Sequence, residues 1–87
     1  MPYHVYVLLC EGDSYYTGYA KDIDSRFEQH MKGIGARYTK LHRPKKLAYA
    51  EEFATRREAV QREREIKRLS HKEKHELVSR AHSLKNR

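Results

Sequence analysis

The run Val5-Tyr6-Val7-Leu8-Leu9-Cys10 constrains this chain more than any other stretch. A short, unbroken sequence of β-branched, aliphatic and aromatic residues is the pattern of a strand covered on both faces, since a face open to water would alternate with polar side chains. Glu11-Gly12-Asp13-Ser14 follows with turn chemistry, and Tyr15 to Ala20 resumes with β-favouring aromatics and Thr17. The two runs therefore predict an antiparallel hairpin closed by a short glycine-containing loop. Period-two alternation puts Tyr6 on one face with His4 and Leu8, and Tyr16 on one face with Gly18 and Ala20. Gly18 weakens a strand unless something must approach its backbone, and it is expected to leave open space beside the Tyr16 hydroxyl.

Asp22 then fits the cap of a helix, with Asp24 in the first turn where the dipole favours negative charge. Ile23, Phe27 and Met31 form its apolar stripe; His30 falls inside the stripe and Arg26 at its edge, i,i+4 to one another. A guanidinium and an imidazole are thus expected to lean toward the sheet. Gly33 ends this helix, and the stretch to about Lys46 reads as a loop. It is the most basic irregular stretch of the chain. Arg37, Lys40, Arg43, Lys45 and Lys46 surround Tyr38, joining phosphate-directed cations to an aromatic surface on which a base could stack. Leu47 to Phe53 alternates as a third strand, with Leu47, Tyr49, Glu51 and Phe53 on one face and the small Ala48 and Ala50 inviting a helix onto the other.

Thr55-Arg56-Arg57-Glu58 and Ser70-His71-Lys72-Glu73 both have capping-box spacing, so two helices are predicted with a tight break between them near Leu69. On the first of these, Ala59, Val60, Glu63 and Ile66 share the inward face. A carboxylate there is costly unless it is paired, and Arg26, a nearby lysine or a bound cation would each satisfy Glu63. His71 and His75 are four apart but lack the companions of a structural zinc site and read as exposed histidines. The fold class is α+β: a small, mainly antiparallel three-stranded sheet flanked by helices in the order β-β-α-β-α-α. One domain is expected over residues 1–82, with a frayed tail at 83–87.

Composition bears on the partner. A net charge of +7 on 87 residues favours a polyanion, nucleic acid before all others. No secretory signal or membrane-length apolar segment is visible, and the single Cys10, set in an apolar strand, fits a reducing cytoplasmic location.

Taken in order, Tyr6, then Tyr16-Thr17-Gly18, then Arg26-x-x-x-His30, and later Ala36-Arg37-Tyr38-Thr39 and Glu58-Ala59-x-x-x-Glu63-x-x-Ile66-Lys67, resemble the GIY-YIG nuclease superfamily, in particular its small stand-alone bacterial members. The resemblance covers roughly residues 3–78. It departs at His4-Val5, where the family name has Gly-Ile, and at Tyr19, where repair-type members often have lysine. The resemblance implies a GIY-YIG-like fold and an endonuclease hydrolysing phosphodiester bonds in DNA, or else RNA, with low sequence specificity and one divalent cation, magnesium or manganese. Tyr6 would be the general base, with Tyr16 its hydrogen-bond partner or alternate. Arg26 would clamp the phosphate and His30 would donate to it, orient Tyr6 or move a proton. Glu63 matches the family's metal-binding glutamate. A non-catalytic nucleic-acid-binding module, or a nuclease dependent on a protein partner, would use the same basic face.

Overall fold

The structure, a computed structural model, describes residues 2–85, with side chains described to residue 81. Its centre is β1 (Tyr3–Cys10), flanked by β2 (Ser14–Ala20) on one edge and β3 (Pro44–Phe53) on the other, all antiparallel. Between them lie α1 (Ile23–Met31) and α2 (Arg37–Leu41); α3 (Arg56–Lys67) and α4 (His71–Lys85) close the chain. This is the α+β architecture read from the sequence, with one short helix added. The last residues of the expected tail, 86–87, lie outside the described residues.

The hairpin forms because a one-turn 3₁₀ segment, Glu11–Asp13, reverses the chain with Gly12 at φ 77° and Asp13 at φ 56°. Its register sets Tyr6 opposite Gly18 and Leu8 opposite Tyr16. Val5 and Val7 are fully buried on one face with Ala59 and Ile66 of α3, under which Tyr49, Phe53, Leu77 and Val78 also pack. Tyr6, Leu8 and Cys10 are buried on the other face against Ile23 and Phe27 of α1 and Tyr38 of α2. Cover on both faces is what the unbroken apolar run requires. Burying a side chain the size of Ile66 contributes roughly 2–3 kcal/mol, so these two small clusters dominate what holds the sheet.

Capping follows the sequence signals closely. Asp22 accepts from the Ser25 N–H at 3.1 Å, Thr55 and Glu58 form a reciprocal box, and Ser70 and Glu73 form another. Past α1, the Gly33 N–H donates to the His30 carbonyl and the Ile34 N–H to the Gln29 carbonyl, each at 3.0 Å, the Schellman arrangement.

Four local expectations change. The stretch from Gly33 to Lys46 is not one loop: Arg37–Leu41 is helical, and β3 starts at Pro44, so Lys45 and Lys46 are strand residues. Within α1 the buried member of the stripe is His30, whereas Met31 is 36% exposed at the helix end. Ile23, Phe27 and His30, spaced i, i+4, i+7, keep a tighter face than a stripe through Met31. In β3 the ladder skips Ala48, so that Val7 faces Tyr49 and Leu8 faces Leu47; this irregularity turns Leu47 away from the Tyr49 face. Finally, α3 packs on the face carrying Tyr49 and Phe53, not on the alanine face. Among the described residues no helix is long and apolar enough to cross a membrane.

Candidate active site

Tyr6, Tyr16, Arg26 and Glu63 line one open hollow of about 410 Å³, floored by Gly18. They come from β1, β2, α1 and α3, so the hollow exists only when all four elements are docked. Gly18 is the hinge of this arrangement. A Cβ at that position would lie 2.6 Å from the Tyr6 hydroxyl, so the absent side chain is the room in which the Tyr6 ring crosses its partner strand. The space expected beside Tyr16 is thus filled by Tyr6.

The Tyr6 hydroxyl lies 2.8 Å from His30 Nε2, and His30 Nδ1 lies 2.7 Å from Thr39 Oγ1. Thr39 Oγ1 in turn donates to the Ala36 carbonyl at 3.1 Å. With its proton committed there, Thr39 accepts from His30, which places the imidazole proton on Nδ1 and leaves a lone pair on Nε2. Tyr6 therefore donates to His30. Burial of this triad is nearly complete, with His30 at 0% and Thr39 and Tyr6 at 2% exposure. A Cβ on Gly35 would collide with His30 Nδ1, so Gly35 is what lets the chain pass over the ring.

The electrostatics follow from this burial. Loss of solvation pushes the Tyr6 pKa up to about 12; Tyr16 and Glu63 add to the rise and the Arg26 guanidinium opposes it. Tyr16 is raised by burial and Glu63 and pulled back by Arg26. His30 is lowered, by burial first and then by Arg26, which keeps the imidazole neutral. Tyr16 does not bond to Tyr6: their rings are 6.4 Å apart, and Tyr16 instead stacks against Tyr38 at 5.9 Å.

Arg26 is held by Gln29 Oε1 at 3.0 Å, and its buried Nε has no hydrogen-bond partner among the described residues. A donor kept dry and unpaired beside a hollow is suited to an incoming oxyanion. Of the three partners open to Glu63, the structure has Lys67, at 3.6 Å on the next turn, with the carboxylate side chain 14% exposed and the lysine 53%. Such a half-exposed pairing leaves the carboxylate available to a hard cation. Among the described residues no three His, Cys, Asp or Glu side chains gather as a ligand set, so a cation at Glu63 would complete its shell with water and substrate oxygens.

The residues expected to contact nucleic acid are more dispersed. Arg37 and Lys40 are exposed on α2, Arg43 is exposed in the turn after it, and Lys45 and Lys46 lie at the start of β3, with Lys45 3.8 Å from Asp13. Tyr38 is half-buried between Tyr16 and His42, so its ring is already occupied by stacking. His71 and His75 are exposed yet engaged: His75 Nδ1 lies 3.0 Å from the Tyr15 hydroxyl and the His71 ring 5.2 Å from the Tyr15 ring, tying α4 to β2. In the sequence Thr39 stood only as the last residue of Ala36-Arg37-Tyr38-Thr39, with no role given to it, and Gly35 was not singled out. Their signals were a threonine nine residues after His30 and a second glycine that capping of α1 does not need.

The GIY-YIG catalytic domain model matches residues 2–76. The chain belongs to this family. A UPF0213 protein of Staphylococcus saprophyticus is 48% identical over 77 residues, covering 88% of this chain and 94% of that protein. A UPF0213 protein of Staphylococcus aureus is 47% identical over 74 residues, 85% and 90% of the two chains. Among solved structures, the UPF0213 protein BH0048 from Bacillus halodurans is 42% identical with a TM-score of 0.58, over 91% of this chain and 84% of that one. The protein EF2693 from E. faecalis is 36% identical with a TM-score of 0.63, over 94% and 88%. GIY-YIG domains are nuclease domains, and the matched span includes every residue of the hollow.

Proposed function

We propose that this protein is a divalent-cation-dependent endonuclease that hydrolyses phosphodiester bonds in DNA with little sequence preference. The observation that carries this reading is the Tyr6 hydroxyl donating to a neutral His30 at 2.8 Å on the wall of a hollow shared with Arg26 and Glu63. A tyrosine with its pKa near 12 is not a tyrosinate at neutral pH, so it cannot act as a standing base. It acts as a relay. As water attacks phosphorus, Tyr6 Oη accepts the water proton while its own proton passes to His30 Nε2, so no charged tyrosine has to form in a dry site. Thr39 keeps the opposite ring nitrogen protonated throughout.

Arg26 meets the phosphate with its unpaired Nε–H and holds positive charge where negative charge grows in the transition state. Tyr16 lines the same hollow and orients the nucleophile. Glu63 would hold the cation, magnesium or manganese, whose chemistry when bound is to neutralise charge on the phosphate and leaving oxygens. Arg37, Lys40, Arg43, Lys45 and Lys46 supply long-range attraction for the polyanion.

Purified protein with plasmid, branched DNA and RNA, in magnesium, manganese or chelator, tests the reading. Cleavage should require the cation and fall by on the order of a hundredfold or more in Tyr6→Phe and Arg26→Ala, with binding still measurable. Equal cleavage by wild type and both variants excludes this hollow as the site. Binding without cation-dependent cleavage of any substrate makes the chain a non-catalytic binding module.

A further inference from the structure

Beside the hollow lies a second, larger groove of about 910 Å³ along α3, in which Arg56, Arg57, Arg64 and Arg68 face one carboxylate, Glu65. The two depressions share Tyr19, which lines both. At about 100° and 1.5 Å per residue, Arg57, Arg64 and Arg68 fall within roughly 40° of one another on the helix surface and span about 16 Å along it. All four arginines are exposed, and among the described residues none forms an ion pair. That separates them from Arg62 on the same helix, which is committed to Glu51 at 3.2 Å. The other acids of α3 are engaged elsewhere: Glu58 caps Thr55, and Glu63 meets Lys67 at the hollow. Arg56 leans on Tyr19, its guanidinium 5.7 Å from the ring centroid and donating to the hydroxyl at 3.0 Å, a contact that fixes the side chain without cancelling its charge.

A charged helix face is most often only solvated. This one differs in being concave, of one dominant sign, and continuous with the hollow through an aromatic side chain. We propose that the α3 groove binds the phosphate backbone of the nucleic-acid strand that enters the hollow, with Arg57, Arg64 and Arg68 holding successive phosphates beyond Tyr19 and Arg56. The proposal rests on the nuclease reading above and adds to it the path of the substrate. A strand clamped at Arg26 must continue across the protein surface, and Tyr19 marks where the hollow opens into a track of the complementary sign. The track is read through charge and guanidinium geometry, so it takes any sequence.

The experiment measures binding of fluorescently labelled DNA by anisotropy across a series of sodium chloride concentrations, in chelator so that no cleavage intervenes. Wild type is compared with the triple variant Arg57→Gln, Arg64→Gln, Arg68→Gln and with the same positions changed to lysine. Each neutralised phosphate contact contributes about 0.9 to the slope of log affinity against log salt. The glutamine variant should therefore lose between about 2 and 3 from that slope and at least about tenfold in affinity at about 0.1 M salt. The lysine variant should regain most of the slope, since it keeps the charge. All three side chains are exposed, and thermal melts of both variants are expected to match wild type. If wild type binds DNA and the glutamine variant keeps its slope, the groove is a solvated face and this inference alone falls. If wild type binds no nucleic acid at low salt, the nuclease reading falls with it. If polyglutamate binds through these arginines and DNA does not, the groove is a docking face for acidic protein and the proposal is overturned.

Discussion

Tyr6 is held in its protonated form by the same burial that positions it, and this is why His30 and Thr39 matter as much as the tyrosine. Removing the hydroxyl by Tyr6→Phe costs little volume and should lower turnover by on the order of a hundredfold or more, while the dissociation constant for DNA stays close to wild type. Thr39 is a positioning residue. Thr39→Val keeps the shape of the side chain but leaves the His30 Nδ1–H without an acceptor, costing roughly 1–3 kcal/mol of stability and freeing the imidazole to take the other tautomer. Turnover should fall about tenfold, in line with a misplaced proton acceptor, and Thr39→Ser should restore it. A valine variant with wild-type turnover would show that the tautomer is not set at this contact. The inward placing of Tyr6, Arg26, His30 and Glu63 could be read from the sequence because each sits at a fixed strand or helix spacing, whereas their candidate roles rested on the family resemblance. Thr39 could not, since its bond to His30 crosses a turn whose path no periodic pattern describes.

At the level of elements, legibility followed the local signals. The capped helices were readable because Asp22, Thr55 and Ser70 announce their own hydrogen bonds within three residues. The segment Arg37–Leu41 was not, because five residues are far below the length at which a helix holds itself. It is helical because Tyr38 stacks on Tyr16 and Thr39 bonds His30, contacts made only after the sheet and α1 have met. The skipped residue at Ala48 was hidden for a related reason: register is a property of two strands, and β3 alone alternates without a break. Gly35 is the element-scale counterpart of Thr39, the point where the connection between α1 and α2 lies on the imidazole. Gly35→Ala forces a methyl group into His30, and displacement of the connection should cost about 1–3 kcal/mol in urea denaturation. The same change should lower cleavage more than DNA binding. Equal stability of variant and wild type would mean that the connection shifts freely.

For the molecule as a whole, the buried Tyr6 and His30 make folding depend on pH from both sides, and the signs can be worked out. His30 has a folded pKa below its ordinary value of 6.5, so as pH falls through that value the unfolded chain takes up a proton that the folded chain refuses, and stability drops. Tyr6 is raised from 10.0 to about 12, so above pH 10 the unfolded chain gives up a proton that the folded chain keeps, and stability drops again. Glu73, lowered by hydrogen bonds from Ser70, stabilises the fold above its unfolded value of 4.5, and its contribution is lost only as pH falls below it. From about pH 6.5 down to about pH 5, His30 is therefore the one of these three groups whose contribution is being lost. Urea midpoints should be highest near neutrality and decline across that interval. In His30→Gln the decline should largely disappear, although the variant starts from a lower midpoint because the triad is broken. Cleavage by the folded protein should persist through that interval and fail only at lower pH, where His30 itself is protonated and can no longer receive the Tyr6 proton. A wild-type midpoint that stays level from pH 7 to pH 5 while activity falls would separate the two effects and place the acid-sensitive group outside this buried triad.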